Sequence, residues 1–268
     1  MPELKLEELR KEPHWSYSSL NTYLNICSLQ YYFRYVEKAE AEQTSSCFPF
    51  GRAFHTALSE QARSAMKGKS LTLTQITEVF REFFKAECAC CENLKFKEDE
   101  SIDTMISKAE NMLTQALANW RDFWNIKGIA VPFSYQIPGV SKVLIGEYDI
   151  VVQDNDRPCI VDWKTSAQKW NENKVQKDLQ ATTFSYSFYK TQALTPSFRF
   201  DVITKGKNPS VESHYTQRGL NEFQRFEKII TSVEKAVKAD VFLPSETSFS
   251  CADCAYANRC RNWHITNR

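Results

Sequence analysis

"GEYDIVVQDNDRPCIVDWKTS", residues 146–166, holds two β-rich runs on either side of the turn signal "QDNDRP". The first places Asp149 in a strand whose apolar neighbours are Ile145, Ile150, Val151 and Val152. The second ends in Asp162 and Lys164. Side chains at i and i+2 share one face of a strand, so Asp162 and Lys164 point the same way. If the runs are antiparallel neighbours, Asp149 approaches Asp162 across the ladder. Two carboxylates at the rim of an apolar sheet are costly unless they hold a cation. A hard divalent ion suits such oxygens, and a nearby lysine can orient a water and stabilise developing negative charge. Alone, a D-x-K pair at a strand end reads as an ordinary ion pair; the rest of the chain decides. Glu147, beside Asp149, is expected to point elsewhere as a solvated side chain.

Outward from this pair, strands are expected at "PFSYQIPG" before it and at "SFRFDVITK" and "SVESHYTQ" after it. Helices are expected at 16–39, capped by Ser16 or Ser18, from Gly51 through "RAFHTALSEQARSAMK", at 72–91 and 101–126, at 174–191 and at 218–239. A loop, "EAEQTSSCFPFG", joins the first two. The order predicts one α/β core with a helical insertion at 65–127, the whole of 1–268 forming a single domain. No repeats or low-complexity tracts interrupt it.

Hydrophobic residues at 42% and charged residues at 25% are ordinary globular values. No apolar run reaches membrane-span length and "MPELKLEELRKEPHW" has no apolar leader core, so the expected location is the cytoplasm, with no membrane partner. A net charge of +1 leaves any nucleic-acid binding to local patches. Nine cysteines in such a compartment argue for metal rather than disulfides. Cys251, Cys254 and Cys260, spaced C-x2-C-x5-C within 249–264, ask for a fourth thiolate. Spacing alone does not separate zinc from iron–sulfur. Cys88, Cys90 and Cys91 read as small helix residues, Cys47 as a loop residue and Cys159 as a core strand residue.

The ordered series "GRAFHTAL", "GEYD", "VDWKTS" and "LQATTFSYSFY" resembles the RecB-like branch of the PD-(D/E)XK nucleases. The cysteine tail resembles that branch's iron–sulfur subset, which includes helicase-linked AddB-type nucleases and CRISPR-associated RecB-like exonucleases. In that subset the first cysteine lies far upstream, and "SYSSLNTYLNICSLQYYFRY" matches with Cys27. The resemblance implies a restriction-endonuclease-like core, a mixed β-sheet flanked by helices, with the segment 249–264 closing on Cys27. It implies metal ligation of Mg²⁺ or Mn²⁺ by His55, Asp149, Asp162 and the Trp163 main-chain carbonyl. Lys164 matches the catalytic lysine, and Gln180 the glutamine of a Q-x3-Y motif that holds DNA or orients the lysine. The tyrosine position of that motif is Phe184 here, with Tyr186 two residues on.

Cys27, Cys251, Cys254 and Cys260 are then implied ligands of a 4Fe–4S cluster, zinc being the alternative. Such a crosslink over most of the chain could restrict the unfolded state by roughly 5 kcal/mol. Lys169, Lys174 and Lys177 are candidate phosphate contacts, alongside Gln180 and Tyr186. "YYFRY", Trp163, Trp170 and Trp263 are candidate stacking surfaces for single-stranded bases, core packing being their default.

The implied function is a metal-dependent deoxyribonuclease, an exonuclease on single strands or DNA ends in recombination, repair or CRISPR adaptation, encoded by a bacterium, archaeon or phage. The alternatives are a non-catalytic DNA-binding or assembly subunit of a helicase–nuclease complex and a zinc-stabilised interaction protein. No ATP-binding P-loop occurs, so unwinding would fall to a partner.

Overall fold

The computed structural model describes residues 5–120 and 125–266. From the N-terminus, a one-turn helix α1 (Leu6–Leu9) leads to a two-residue strand β1 (His14–Trp15) and then α2 (Tyr17–Asn21). Ser16 and Ser19 cap α2 reciprocally, each hydroxyl accepting the other's backbone N–H. The helix expected at 16–39 is not continuous. A π-helical turn, Thr22–Ile26, ends at Cys27, whose backbone is extended (φ −168°, ψ 123°), and α3 (Ser28–Tyr31) restarts from it before a second π-helical turn, Tyr32–Val36. Cys27 itself makes the break tolerable, because its Sγ accepts the Gln30 N–H at the new helix start.

A two-residue strand, β2 (Thr44–Ser45), precedes α4 (Cys47–Met66), which begins before the expected Gly51. Pro49 sits in the first turn, where its missing N–H costs no helical bond, so Cys47 opens a helix and is no loop residue. Next come α5 (Leu73–Ala89), β3 (Leu94–Lys95) and α6 (Ile102–Ala118). The expected helix at 101–126 ends early; part of it, 121–124, lies outside the described residues, and Asn125 already belongs to a strand.

The remaining elements are β4 (Asn125–Tyr135), β5 (Val143–Asp154), β6 (Arg157–Ser166), α7 (Glu172–Lys177), α8 (Leu179–Gln192), β7 (Ser197–Thr204), β8 (Val211–Gln217), α9 (Leu220–Lys238) and α10 (Ala257–Thr266). The single helix expected at 174–191 is split at Asp178. The sheet runs β1-β5-β6-β7-β8, with β4 antiparallel along the other edge of β5. Strands β6 and β7 are parallel and the other long pairs antiparallel, which makes the sheet mixed.

Both faces are covered. On one, Phe50 and Phe54 of α4, Phe80 and Phe84 of α5, and Met105, Met112 and Leu113 of α6 form one core with Ile150, Val152, Val161, Trp163 and Ile203. On the other, Phe184, Tyr186, Phe223 and Phe226 of α8 and α9 cover Tyr148, Ile160, Phe198 and Phe200. Helices on both faces of a mixed sheet fit the expected restriction-endonuclease-like core. Residues 65–127 supply α5 and α6, which close the first core on α4. Three of the expected base-stacking rings are core: Trp163, Tyr31 and Phe33 are buried, Tyr31 among Trp15, Tyr23, Tyr35 and Phe242. They are unavailable to bases because their faces already pack against other rings.

Candidate active site

The ladder between β5 and β6 ends at the pair Ile150–Val161, one step short of Asp149 and Asp162. Upstream of that point the edge of β5 pairs instead with β1, through Val143 and Leu144. The two strands part, and the two carboxylates stand at the fork. Alternation along β5 slips there: Tyr148 and Ile150, two residues apart, join opposite cores. The partner strand shows why. Between the pairs Ile129–Ile150 and Val131–Tyr148 lies Ala130, with φ 50°, a left-handed residue in a strand. Such irregularities bend a strand and re-aim its side chains. Gly146 belongs to the same local design, since a Cβ there would meet the Phe133 ring at 2.4 Å.

Asp149 Oδ2 accepts the Trp163 N–H at 2.9 Å and pairs with His55 Nδ1 at 3.1 Å. His55 arrives from α4, on the first face of the sheet, with its ring edge-on to Trp163. Asp162 is 1% exposed. Its Oδ2 lies 2.5 Å from Lys164 Nζ, as the i, i+2 reading expects, and its Oδ1 accepts from Gln180 Nε2 at 2.5 Å. Gln180 comes from α8 on the opposite face. The fork therefore gathers groups from both sides of the sheet through the gap between two strands.

Two carboxylates this close cannot ionise independently. Burial raises Asp162, and the charge of Asp149 adds to it, lifting it to about 7 against the pull of Lys164. Burial also works against Asp149, but His55, Lys164 and the Trp163 N–H outweigh it and hold this carboxyl below its usual range. His55 and Lys164 are pushed down by burial and more than restored by the carboxylates, so both end above their ordinary values. Of the four groups, Asp162 is the one lifted to about 7.

Glu147 requires a correction. It is half-buried rather than solvated, and close enough to Asp149 to feel its charge. Burial and the charge of Asp149 both push its carboxyl up. Tyr186 is buried in the core, its hydroxyl donating to Glu227, so it does not face the fork. Lys169 is paired with Glu212. Lys174 lies over the Trp170 ring at 3.9 Å, near enough to the fork to feel Asp178 and Lys164. Tyr17 was missed from sequence. It lies on α2, which packs against α8, and burial with the charges of Asp178 and Asp162 pushes its phenol upward. Its place directly after the capping Ser16 was the available signal.

Cys27, Cys251, Cys254 and Cys260 line one cavity of about 610 Å³ with Phe33 and Trp263. Residues 241–243 reach it along the Cys27 break: Leu243 O accepts from Cys27 Sγ, Ser28 Oγ and Leu29 N, and Val241 O from the Tyr23 hydroxyl. Glu42 takes the Asn258 and Arg259 N–H groups at the start of α10. Burial raises the Cys254 and Cys260 thiols, and the neighbouring sulfurs add to it. All nine cysteines are free; Cys88 and Cys159 are buried, Cys90 exposed and Cys91 half-buried. Among the described residues no group of three or more His, Cys, Asp or Glu side chains is already arranged to hold a metal ion. No helix among them is long and apolar enough to cross a membrane.

A family model for the PD-(D/E)XK nuclease superfamily matches residues 14–261. A crystal structure from Eubacterium rectale, named "Putative exonuclease", superposes over 94% of both chains with a TM-score of 0.62 at 12% identity, a likeness of fold alone. A second solved structure, SSO0001, aligns over 95% of this chain and 94% of its own at 13% identity, but its TM-score of 0.35 carries no argument. No curated relative matches the sequence.

Proposed function

The chain belongs to the PD-(D/E)XK nuclease superfamily, and from that premise we propose that it is a divalent-metal-dependent deoxyribonuclease. Within the superfamily we place it in the RecB-like branch with a four-cysteine cluster, as an exonuclease on single strands or DNA ends, working beside a helicase, recombination or CRISPR partner. The observation that carries the reading is the fork, where Asp149, Asp162, Lys164 and His55 converge.

The donor set fits a hard divalent ion. Asp162 Oδ2 is buried without an aligned hydrogen bond, and the two carboxylates raise the energy of one another's charge. His55, Asp149 and Asp162 would hold the ion, with the Trp163 carbonyl as a further ligand. When bound, Mg²⁺ or Mn²⁺ supplies Lewis acidity toward a phosphoryl oxygen and acidifies a water. The chain's own groups do the rest. Lys164, kept cationic by the carboxylates, donates toward the charge that develops on the phosphoryl group. Asp149 stays anionic and fixed by the Trp163 N–H. Asp162 and His55 release their protons as ligation requires. Gln180 holds the second oxygen of Asp162, which fixes the carboxylate's orientation toward Lys164.

The four cysteines fit a thiolate-bound group, since all of them line one cavity and the neighbouring sulfurs help push the Cys254 and Cys260 thiols up. Cys27, Cys251, Cys254 and Cys260 would hold a 4Fe–4S cluster, which supplies a crosslink there and no step of hydrolysis. Iron, sulfide and zinc analysis of anaerobically purified protein tests this; colourless protein with stoichiometric zinc contradicts it. Digestion of end-labelled single- and double-stranded DNA with Mg²⁺ or Mn²⁺ tests the activity. Mononucleotides released progressively from ends support an exonuclease, and uncut DNA under all four conditions rejects the nuclease reading.

A further inference from the structure

Gln180 reaches Asp162 from the first turn of α8, so the position of that turn sets the geometry of the fork. It is held from below by a residue with no contact to the fork, Arg218, at the end of β8. This side chain is 3% exposed. Its Nη2 donates to the carbonyls of Val175 at 3.1 Å, Gln176 at 3.0 Å and Asp178 at 3.4 Å, where α7 ends and α8 begins. Its Nε donates to Thr182 Oγ1 at 2.9 Å inside α8, and its Nη1 to Thr216 Oγ1 and the Gln217 carbonyl of β8. One planar fork thus joins the end of α7, the start of α8 and the sheet edge.

The effect is directed at Gln180. Asp178, whose carbonyl Arg218 holds, caps α8 with its carboxylate, accepting the Gln180 N–H at 2.7 Å. The backbone N–H and the side chain of Gln180 are therefore aligned together. Gln180 Nε2 then meets Asp162 Oδ1, while its buried Oε1 has no hydrogen-bond partner among the described residues. We infer that Arg218 is a positioning residue for the catalytic fork, acting through the Asp178 corner to aim the Gln180 amide at Asp162. Its chemistry suits the task, because a lysine offers one ammonium where the guanidinium spans three elements. The kinetic part of this inference rests on the nuclease reading; the geometric part does not.

The test uses the full chain with Arg218→Lys and the milder Thr182→Val, which removes only the acceptor of the Nε bond. In ¹⁵N-labelled protein the Gln180 side-chain amide signal, assigned by its loss in Gln180→Ala, is expected to move toward the position of solvent-exposed glutamines in Arg218→Lys. In Thr182→Val it moves the same way by less, so the inference stays testable if Arg218→Lys does not fold. Cleavage by Arg218→Lys is expected to fall about ten- to hundredfold, the usual loss for an outer-shell partner. On a Gln180→Ala background that loss vanishes, whereas any loss of melting midpoint persists. An unmoved Gln180 amide in the folded variants overturns the inference, as does a full rate loss on the Gln180→Ala background. If the wild-type protein cleaves no DNA, the nuclease reading falls, and the amide signal still decides the role of Arg218.

Discussion

At the fork, Asp149, Asp162, Lys164, His55 and Gln180 sit on long strands and helices, each carboxylate fixed by two or more partners before any substrate arrives. At the cysteine cavity, the sulfurs come from the break at Cys27 and from the tail beyond α9, joined by a handful of hydrogen bonds around Leu243 and Glu42. Packed strands and helices organise the first site between them. The second joins segments far apart in sequence and depends on what bridges them. Damage at the fork should therefore cost chemistry, and damage at the cavity should cost stability.

The largest expected effect breaks the cavity. Cys27→Ser, or chelation of the proposed cluster, should cost up to roughly 5 kcal/mol of unfolding free energy through loss of the proposed long-range crosslink. Denaturant titration checks it; an unchanged midpoint in both would mean that the cavity is no clasp. Lys164→Ala comes next, with cleavage down about 10²–10³-fold, the loss typical of one charge-stabilising donor. Its melting midpoint should hardly move, because Asp162, already lifted to about 7, can take up a proton when its partner is gone.

The third prediction concerns pH. Asp162 has its folded value raised, so its contribution to stability in metal-free protein is present in acid and lost as pH rises through about 7. Ligation needs the anion, so Mn²⁺ affinity should weaken by up to about tenfold per pH unit below that value. Isothermal titration on either side of neutrality reads this directly; a pH-independent affinity would remove Asp162 from the ligand set.

The smallest effect lies away from both sites. Burial works against the Glu234 carboxyl, but Lys238, the Ser141 N–H and the Trp15 indole outweigh it and hold it down to about 2. Its folded value is depressed, so its contribution is present above the ordinary carboxyl range and lost as pH falls toward about 2. Glu234→Gln should lower the melting midpoint at neutral pH by about 2–4 °C, with the difference from wild type closing in acid. A difference constant with pH would assign the effect to packing.

Strict periodicity carried much of this fold. Asp162 and Lys164 could be placed on one face, and Asp149 opposite Asp162, because β5 and β6 keep a two-residue period up to the point where they part. The sequence failed where backbone departs from period. The break at Cys27 depends on Leu243, far along the chain, and the slip at Asp149 on the left-handed Ala130 in a neighbouring strand. The split at Asp178 is stabilised by Arg218 from β8. Tyr186 looked available because its helix bears small and aromatic residues all round, and only packing against Phe223 and Phe226 decides which side is buried. Glu147 was read as solvated, and only the packing around β5 shows that it is half-buried beside Asp149.

The role proposed for the fork is hydrolysis of phosphodiesters with a divalent ion bound there. Cleavage of end-labelled single-stranded DNA in Mn²⁺ by wild-type protein, Asp162→Ala and Lys164→Ala, each first shown to be folded, tests it most directly. The structure predicts products from the wild type alone, abolished by EDTA. Equal metal-dependent cleavage by both variants would contradict it.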